Sequence, residues 1–215
     1  LSALPVHIEC FDNSNFHGSF PVAACVVFKD AKPSKQDYRH FNIKTVEGPD
    51  DFASMEEVIY RRYKRLMDEN QSLPQLIVVD GGKGQLSSAV KSLDKLDLRG
   101  NVAVIGIAKK LEEIFFPEDP IPIYIDKRSE SLKIIQRMRN EAHRFGITHH
   151  RNKRSKNAFQ SELLEIDGIG EKTAKELLRV YYSLERIKQL SQEELSSVAT
   201  TAQAKAIFDY FRSRS

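Results

Sequence analysis

The sequence predicts an α/β fold, a mixed sheet covered by helices, with a small all-α unit behind it. Three observations carry that prediction. Short alternating strands fill the first 45 residues. From about residue 50, amphipathic helices alternate with short, continuously apolar strands, the pattern of a sheet buried on both faces. After residue 158 the strand signals cease, and short helices follow one another around glycines.

In chain order, Val6 to Phe11 alternates and places Ile8 and Cys10 on one face. Val22 to Lys29, rich in valine and alanine, reads as a second strand. Asp30 to Asp37 is a charged turn containing Pro33, and Tyr38 to Thr45 alternates as a third strand. Short connections make these three an antiparallel meander. Asp50-Asp51 offers an N-cap to a helix with Met55, Val58, Ile59, Tyr63 and Leu66 on its apolar face. Leu76 to Val79 is a fourth strand, Gln85 to Leu96 a helix, and Asn101 to Ala108 a fifth strand. Lys109 to Asp126 contains three prolines and is an irregular excursion that can hold a small hairpin. A long helix begins at Ser129, with Leu132, Ile135, Met138 and Ala142 at helical spacing. Three strands, helix, strand, helix, strand, excursion, helix is the layout of a ribonuclease H-like sheet, and several other mixed α/β folds share that rough order.

The chemistry gathers where the strands end. Gln75 to Leu86 reads QLIVVDGGKGQL: a buried strand breaking off in Asp80, two glycines and Lys83 before a helix starts. A carboxylate there stands in the crevice where open α/β sheets bind ligands, or merely caps the helix. Asp12 closes the first strand in the same way, and the long helix carries His143, with Arg139 and Arg144 beside it. Two strand-end carboxylates and an imidazole suit Mg²⁺ or Mn²⁺, and such ions suit in-line phosphodiester displacement.

Net charge is +3, and its distribution is uneven. Residues 1–150 carry 21 Lys+Arg against 21 Asp+Glu; residues 151–215 carry 12 against 9. Arg151, Lys153, Arg154 and Lys156 form the densest basic cluster, readable as a solvated linker over 151–157 or as a phosphate-binding patch. Beyond it, residues 158–215 read as a tandem helix-hairpin-helix unit. Asp167-Gly168-Ile169-Gly170 between two short helices offers amides to a backbone phosphate, with Lys172 adding charge. Such contacts carry no base information. Leu184 to Leu195, Val198 to Gln203 and Ala204 to Phe211 repeat the unit without its glycines, as a degenerate copy packed on the first.

The composition excludes other classes. No apolar run is long enough to span a bilayer, and no signal-peptide pattern opens the chain. Two cysteines, Cys10 and Cys25, do not make a disulfide scaffold and read as small buried hydrophobes in a reducing, cytoplasmic setting.

Four ordered motifs then carry a family resemblance: FDNSN (Phe11 to Asn15), EGPDDFASM (Glu47 to Met55), VDGGKGQL, and NEAHRFGITHHRNKRSK. Together they resemble the C-terminal half of the UvrC family of excinuclease subunits. That resemblance implies a ribonuclease H-like endonuclease domain over 1–150 and a tandem helix-hairpin-helix domain over 158–215. It implies hydrolysis of a phosphodiester on the 5′ side of a DNA lesion during nucleotide excision repair, with Mg²⁺ or Mn²⁺ as cofactor. The implied partners are lesion-bearing duplex DNA and UvrB. The family triad falls on Asp12, Asp80 and His143, as both catalytic residues and metal ligands. A further family acid matches the Asp50-Asp51 pair, assigned to Asp51, as a ligand or a fold support. Lys83, Arg144, Arg151, Lys153, Arg154, Lys156, Gly168, Gly170 and Lys172 are the expected DNA contacts.

The chain also departs from the family pattern. Asn13 and Asn15 replace isoleucine and histidine, and His17 lies close enough to substitute for the latter. Asn140 stands where the family often has aspartate, and receives no metal role. The family's N-terminal nuclease domain and UvrB-binding segment have no counterpart here, so a fragment of a longer protein is expected. Two other classes compete: a non-catalytic DNA-binding module on the same scaffold, and a ribonuclease or resolvase. Presence of the whole triad argues against the first, and the helix-hairpin-helix tail against an RNA substrate.

Overall fold

The computed structural model describes residues 4–14, 22–46, 48–108 and 112–213, without the side chains of 14 and 149–158. Asn15 and His17, and the side chains of Arg151, Lys153, Arg154 and Lys156, therefore lie outside the described residues. The chain divides into two compact units, Leu1–His150 and Arg151–Ser215.

Unit 1 is built on a mixed sheet. β1 (His7–Ser14) pairs antiparallel with β2 (Val22–Lys29), which pairs antiparallel with both a two-residue β3 (Lys32–Pro33) and β4 (Arg39–Asn42). On its other side β1 runs parallel to β5 (Leu76–Asp80), β5 parallel to β6 (Ala103–Ala108), and β7 (Glu113–Phe115) closes the edge antiparallel to β6. The order is β3-β2-β1-β5-β6-β7, with β4 also on β2, as the ribonuclease H layout requires. β5 is buried at every position, because a parallel strand between two others has helices over both its faces.

Alternation sorts the side chains. Glu9, Phe11, Cys25, Val79 and Gly106 share the face under α1 (Asp51–Asp68) and α2 (Lys83–Lys95), as the edge-to-face contact of Phe11 with Tyr63 marks. Cys10, Asp12, Asp80 and His40 take the opposite face, under α3 (Glu130–Leu164). The two buried thiols thus lie on opposite faces of the sheet and are free.

Local chemistry explains the element ends. Asp50 caps α1, its Oδ1 accepting from the amides of Phe52 and Ala53 at 2.9 Å. The second helix starts two residues earlier than its apolar periodicity indicates, because Gly82 serves as its N-cap. The Asp80-Gly81-Gly82 turn crosses β6 where that strand has Gly106: a Cβ there would lie 2.9 Å from the Gly81 carbonyl oxygen. Any larger residue at 106 would push the turn away and Asp80 with it. The excursion does contain a hairpin-like return, β7 bridging Ile123 through Ile114.

In unit 2, α4 (Glu171–Tyr181), α5 (Leu184–Gln189), α6 (Gln192–Leu195) and α7 (Thr201–Arg212) follow the end of α3. Leu163, Ile166, Ile169, Leu177, Ile187, Ile207 and Phe211 form their core. The segment 184–195 forms two helices: Ser191 opens a capping box with Glu194 and restarts the chain after Leu190 leaves helical geometry. Residues 151–157, read as a linker, are helical backbone within the bounds of α3.

Candidate active site

Register builds the site. Asp12 is paired with Ala24 on β2, and one step beyond the Phe11–Val79 pair it stands beside Asp80 at the carboxyl end of β5. Both carboxylates are buried, at 3% and 8% exposure, yet they sit where the strands end. α3 brings His143 over them, with its Nδ1 2.9 Å from Oδ2 of Asp12. An ionised carboxylate only accepts, so the ring donates through Nδ1–H, and in the neutral tautomer this leaves the Nε2 lone pair for an ion. One ligand atom each from Asp12, Asp80 and His143 lies within 4.8 Å of the others. That spacing and donor set, two hard oxygens and an imidazole, fit a single Mg²⁺ or Mn²⁺ with modest closure.

Cys10 records the local field. It lies beneath Asp12 on the same face of β1, and burial pushes its thiol well above the usual range. The charges of Asp80 and Asp12 raise it further, and only Arg139, one turn before His143 on α3, opposes them. Cys10 is therefore an inert, protonated thiol. Arg139 is otherwise engaged, donating to Oδ1 of Asn140 from Nε at 3.3 Å and Nη2 at 3.1 Å. Sequence reasoning had no spacing signal for Cys10 and noted Arg139 only as a neighbour.

The other expected site residues distribute differently. Asp51 does not join the cluster of ligand atoms. Its backbone carbonyl accepts from Nδ2 of Asn13 at 2.9 Å, so the first turn of α1 is tied to the strand that carries Asp12. Asn13 is thus a bracing residue. Lys83 donates to the Pro120 carbonyl at 2.6 Å and lies over the Phe115 ring, which pins the excursion to α2. Arg144 is exposed and held in a two-pronged pair with Glu141 at 2.7 and 2.8 Å.

In unit 2, Gly168 has φ +83°, a conformation that needs glycine; Gly170, at φ −96°, does not. A Cβ at either glycine would meet nothing within 4 Å. Gly170 is the N-cap of α4 and leaves its first amides without a side-chain cap. α7 is capped by Thr200 in a capping box with Gln203, whose Nε2 also donates to the Gly168 carbonyl at 2.9 Å. The second hairpin therefore braces the first. Lys172 is exposed.

Comparison with known proteins agrees with this division. Residues 1–147 match the UvrC RNase H endonuclease domain, and residues 160–209 a SAM-like helix-hairpin-helix tandem. UvrABC system protein C of Flavobacterium johnsoniae is 66% identical over 99% of this chain, and that of Christiangramia forsetii 68% identical over 99%. The chain spans 36% of the length of each. Among solved structures, Ciona intestinalis endonuclease V in complex with DNA overlaps loosely, with a TM-score of 0.36 and 20% identity over 64% of this chain and 56% of that one. With a sheet of ribonuclease H order, strand-end aspartates under a helical histidine, and the endonuclease model matching over two thirds of its length, the chain belongs to the UvrC RNase H endonuclease domain family and carries a helix-hairpin-helix tandem behind that domain.

Proposed function

We propose that this chain hydrolyses a phosphodiester of duplex DNA at Asp12, Asp80 and His143 with Mg²⁺ or Mn²⁺, while unit 2 holds the DNA backbone. The observation that carries the reading is the approach of the three ligand atoms to within 4.8 Å at the carboxyl edge of a parallel strand pair. A divalent ion bound there supplies Lewis acidity toward the phosphodiester and an activated water. The protein's own share is positional. Asp80, at the end of a strand hydrogen-bonded on both sides, is a fixed anionic oxygen donor. Asp12 holds the imidazole by Nδ1–H, which leaves Nε2 of the half-exposed His143 ring as the nitrogen that would face the ion. In the wider reading, this is the nuclease that cuts on the 5′ side of a lesion in a nucleotide excision repair complex containing UvrB. The four sequence motifs and the similarity to proteins named UvrABC system protein C support it.

The test is cleavage of a lesion-bearing duplex by the complete repair nuclease. Chelator should abolish the cut and added Mn²⁺ restore it; cutting that persists in excess chelator overturns the reading.

A second expected result separates the two units' tasks. Unit 1 has zero net charge by count, whereas unit 2 holds the excess and the uncapped amides at Gly170. Duplex binding should be insensitive to sequence and lose about 0.9 log units per log unit of salt for each phosphate neutralised. Gly168→Val, Gly170→Val should lower affinity and flatten that slope. At 168 valine disfavours the positive φ, and at 170 it fills the open space a phosphate would approach. Unchanged affinity and slope in the double variant, by fluorescence anisotropy across a salt series, would make unit 2 a packing module.

A further inference from the structure

The sheet row that holds Asp12 continues outward to a residue with no assigned task. Asp12 is paired with Ala24, and Ala24 with His40 on β4, so the three side chains stand in line on the face under α3. The His40 ring stacks on Phe145 of α3, with centroids 3.7 Å apart and planes 20° from parallel. Its Nε2 lies 3.1 Å from the Phe145 carbonyl oxygen and donates to it. Tyr38 meets the same Phe145 ring edge-on at 5.1 Å.

Helix geometry makes this contact the counterpart of the one at the site. At 100° per residue, Ala142 and Gly146 fall side by side and are both buried. His143 lies to one side of that pair and Phe145 to the other. The helix thus rests on two small residues above the sheet, over a row whose middle member, Ala24, is also small. One outrigger reaches Asp12 through His143, and the other reaches His40 through Phe145. A helix seated on small residues can roll about its axis, and a roll swings His143 along the row away from Asp12 and Asp80. The paired contacts on both flanks resist it at this end of α3, as the buried Leu132, Ile135 and Met138 do at its start.

We propose that His40 is a positioning residue for the cation site: its stack and hydrogen bond on Phe145 fix the roll of α3 that places His143 beside Asp12 and Asp80. The proposal rests on the reading of those three residues as cation ligands, and its test keeps the two separable. Mn²⁺ binding to the full chain is measured by calorimetry for the native protein and for Asp12→Asn, His40→Ala and His40→Phe, with thermal unfolding of each.

Native protein binding Mn²⁺ no better than Asp12→Asn removes the cation reading itself. If Asp12→Asn loses binding, the expected result for His40→Ala is affinity about tenfold weaker, within the range for groups that orient a metal-bound histidine. His40→Phe keeps a ring against Phe145 and removes the donor, so its affinity should fall between the two. A ring-nitrogen NMR signal for His143 should also lose its Asp12-bonded shift in His40→Ala and partly regain it in His40→Phe. A role in packing alone would lower the melting temperature of both variants and leave Mn²⁺ affinity and the His143 signal native; that outcome overturns the proposal.

Discussion

Asp80→Asn is expected to reduce phosphodiester cleavage by at least about a thousandfold while leaving the melting temperature nearly unchanged. Asparagine has almost the same shape, and the backbone of residue 80 stays paired with Ile107 on β6. What disappears is a negative charge that a divalent ion requires, and several kcal/mol of transition-state stabilisation leave with the ion, each ~1.4 kcal/mol being tenfold in rate. Asp12→Asn should match it in rate and add a second signature, because Oδ2 of Asp12 also accepts the His143 proton. The measurement is single-turnover cleavage of a lesion-bearing duplex with a thermal melt of each variant. Native-like cutting by either, with a preserved melt, removes the site assignment.

The largest expected effect on stability lies under the other face of the sheet. Glu9 is fully buried, and four side chains converge on its carboxylate. Arg62 donates from Nη2 at 2.6 Å and from Nε at 3.2 Å, Tyr63 donates its hydroxyl at 3.0 Å, Cys25 donates at 3.8 Å, and His7 lies 3.4 Å away. Burial pushes the carboxyl up, but the hydrogen bonds and charges of His7 and Arg62 outweigh it, and the net direction is down. Arg62→Ala leaves that charge buried without its principal partner, which should destabilise unit 1 by about 3–5 kcal/mol, or roughly 6–20 °C in melting temperature. Replacing both with Glu9→Met, Arg62→Met should cost less than the single change, because no orphaned charge remains.

The pH dependence follows from the sign of the shift. A carboxyl depressed in the native state contributes stability that is fully present above its unfolded value, near 4.5 for glutamate, and is lost as pH falls through the depressed native value. Acid unfolding of the native protein should therefore be steep below pH ~4.5, and in the double methionine variant shallower. A melting temperature unmoved by Arg62→Ala would mean that Arg62 is not what compensates Glu9.

The contrast between these two regions shows what the sequence made legible. Asp12 and Asp80 announce themselves because each ends an apolar run, where alternation or burial leads the reader to expect another hydrophobe. Their neighbour relation needs the parallel pairing of β1 with β5, which no local pattern encodes. Glu9 gave a weaker form of the same signal, a charge inside a strand, but its partners Arg62 and Tyr63 sit 53 and 54 residues away on α1, and of the two only Tyr63 lay on that helix's expected apolar face. Lys83 drew notice for its charge beside glycines, and in the fold its ammonium also holds the Pro120 carbonyl, a partner no local pattern encodes. His40 carried no signal at all, since which ring an edge-strand histidine meets is decided by how α3 lies on the sheet. The break at Leu190 is written in the Ser191-to-Glu194 spacing, a capping box inside an apolar pattern.

The distance in sequence between the site's members has a kinetic consequence. Asp12 and His143 are 131 residues apart, with Asp80 between them on a different strand. No early hairpin or single β-α-β segment contains the three donors, so each long loop must close before they meet, and that closure entropy is met late. Partly folded forms of unit 1 then lack the site, and a cation that recognises it discriminates between the finished fold and everything before it. Its binding adds RT ln(1 + [ion]/Kd) to the stability of the completed domain alone, about 2.7 kcal/mol at a hundredfold excess over Kd. Contacts formed after the barrier act on the unfolding rate, so the ion is expected to slow unfolding more than it speeds folding, which unfolding kinetics with and without Mn²⁺ would show. In a nuclease this coupling has a protective side: only a chain that has finished folding can be armed.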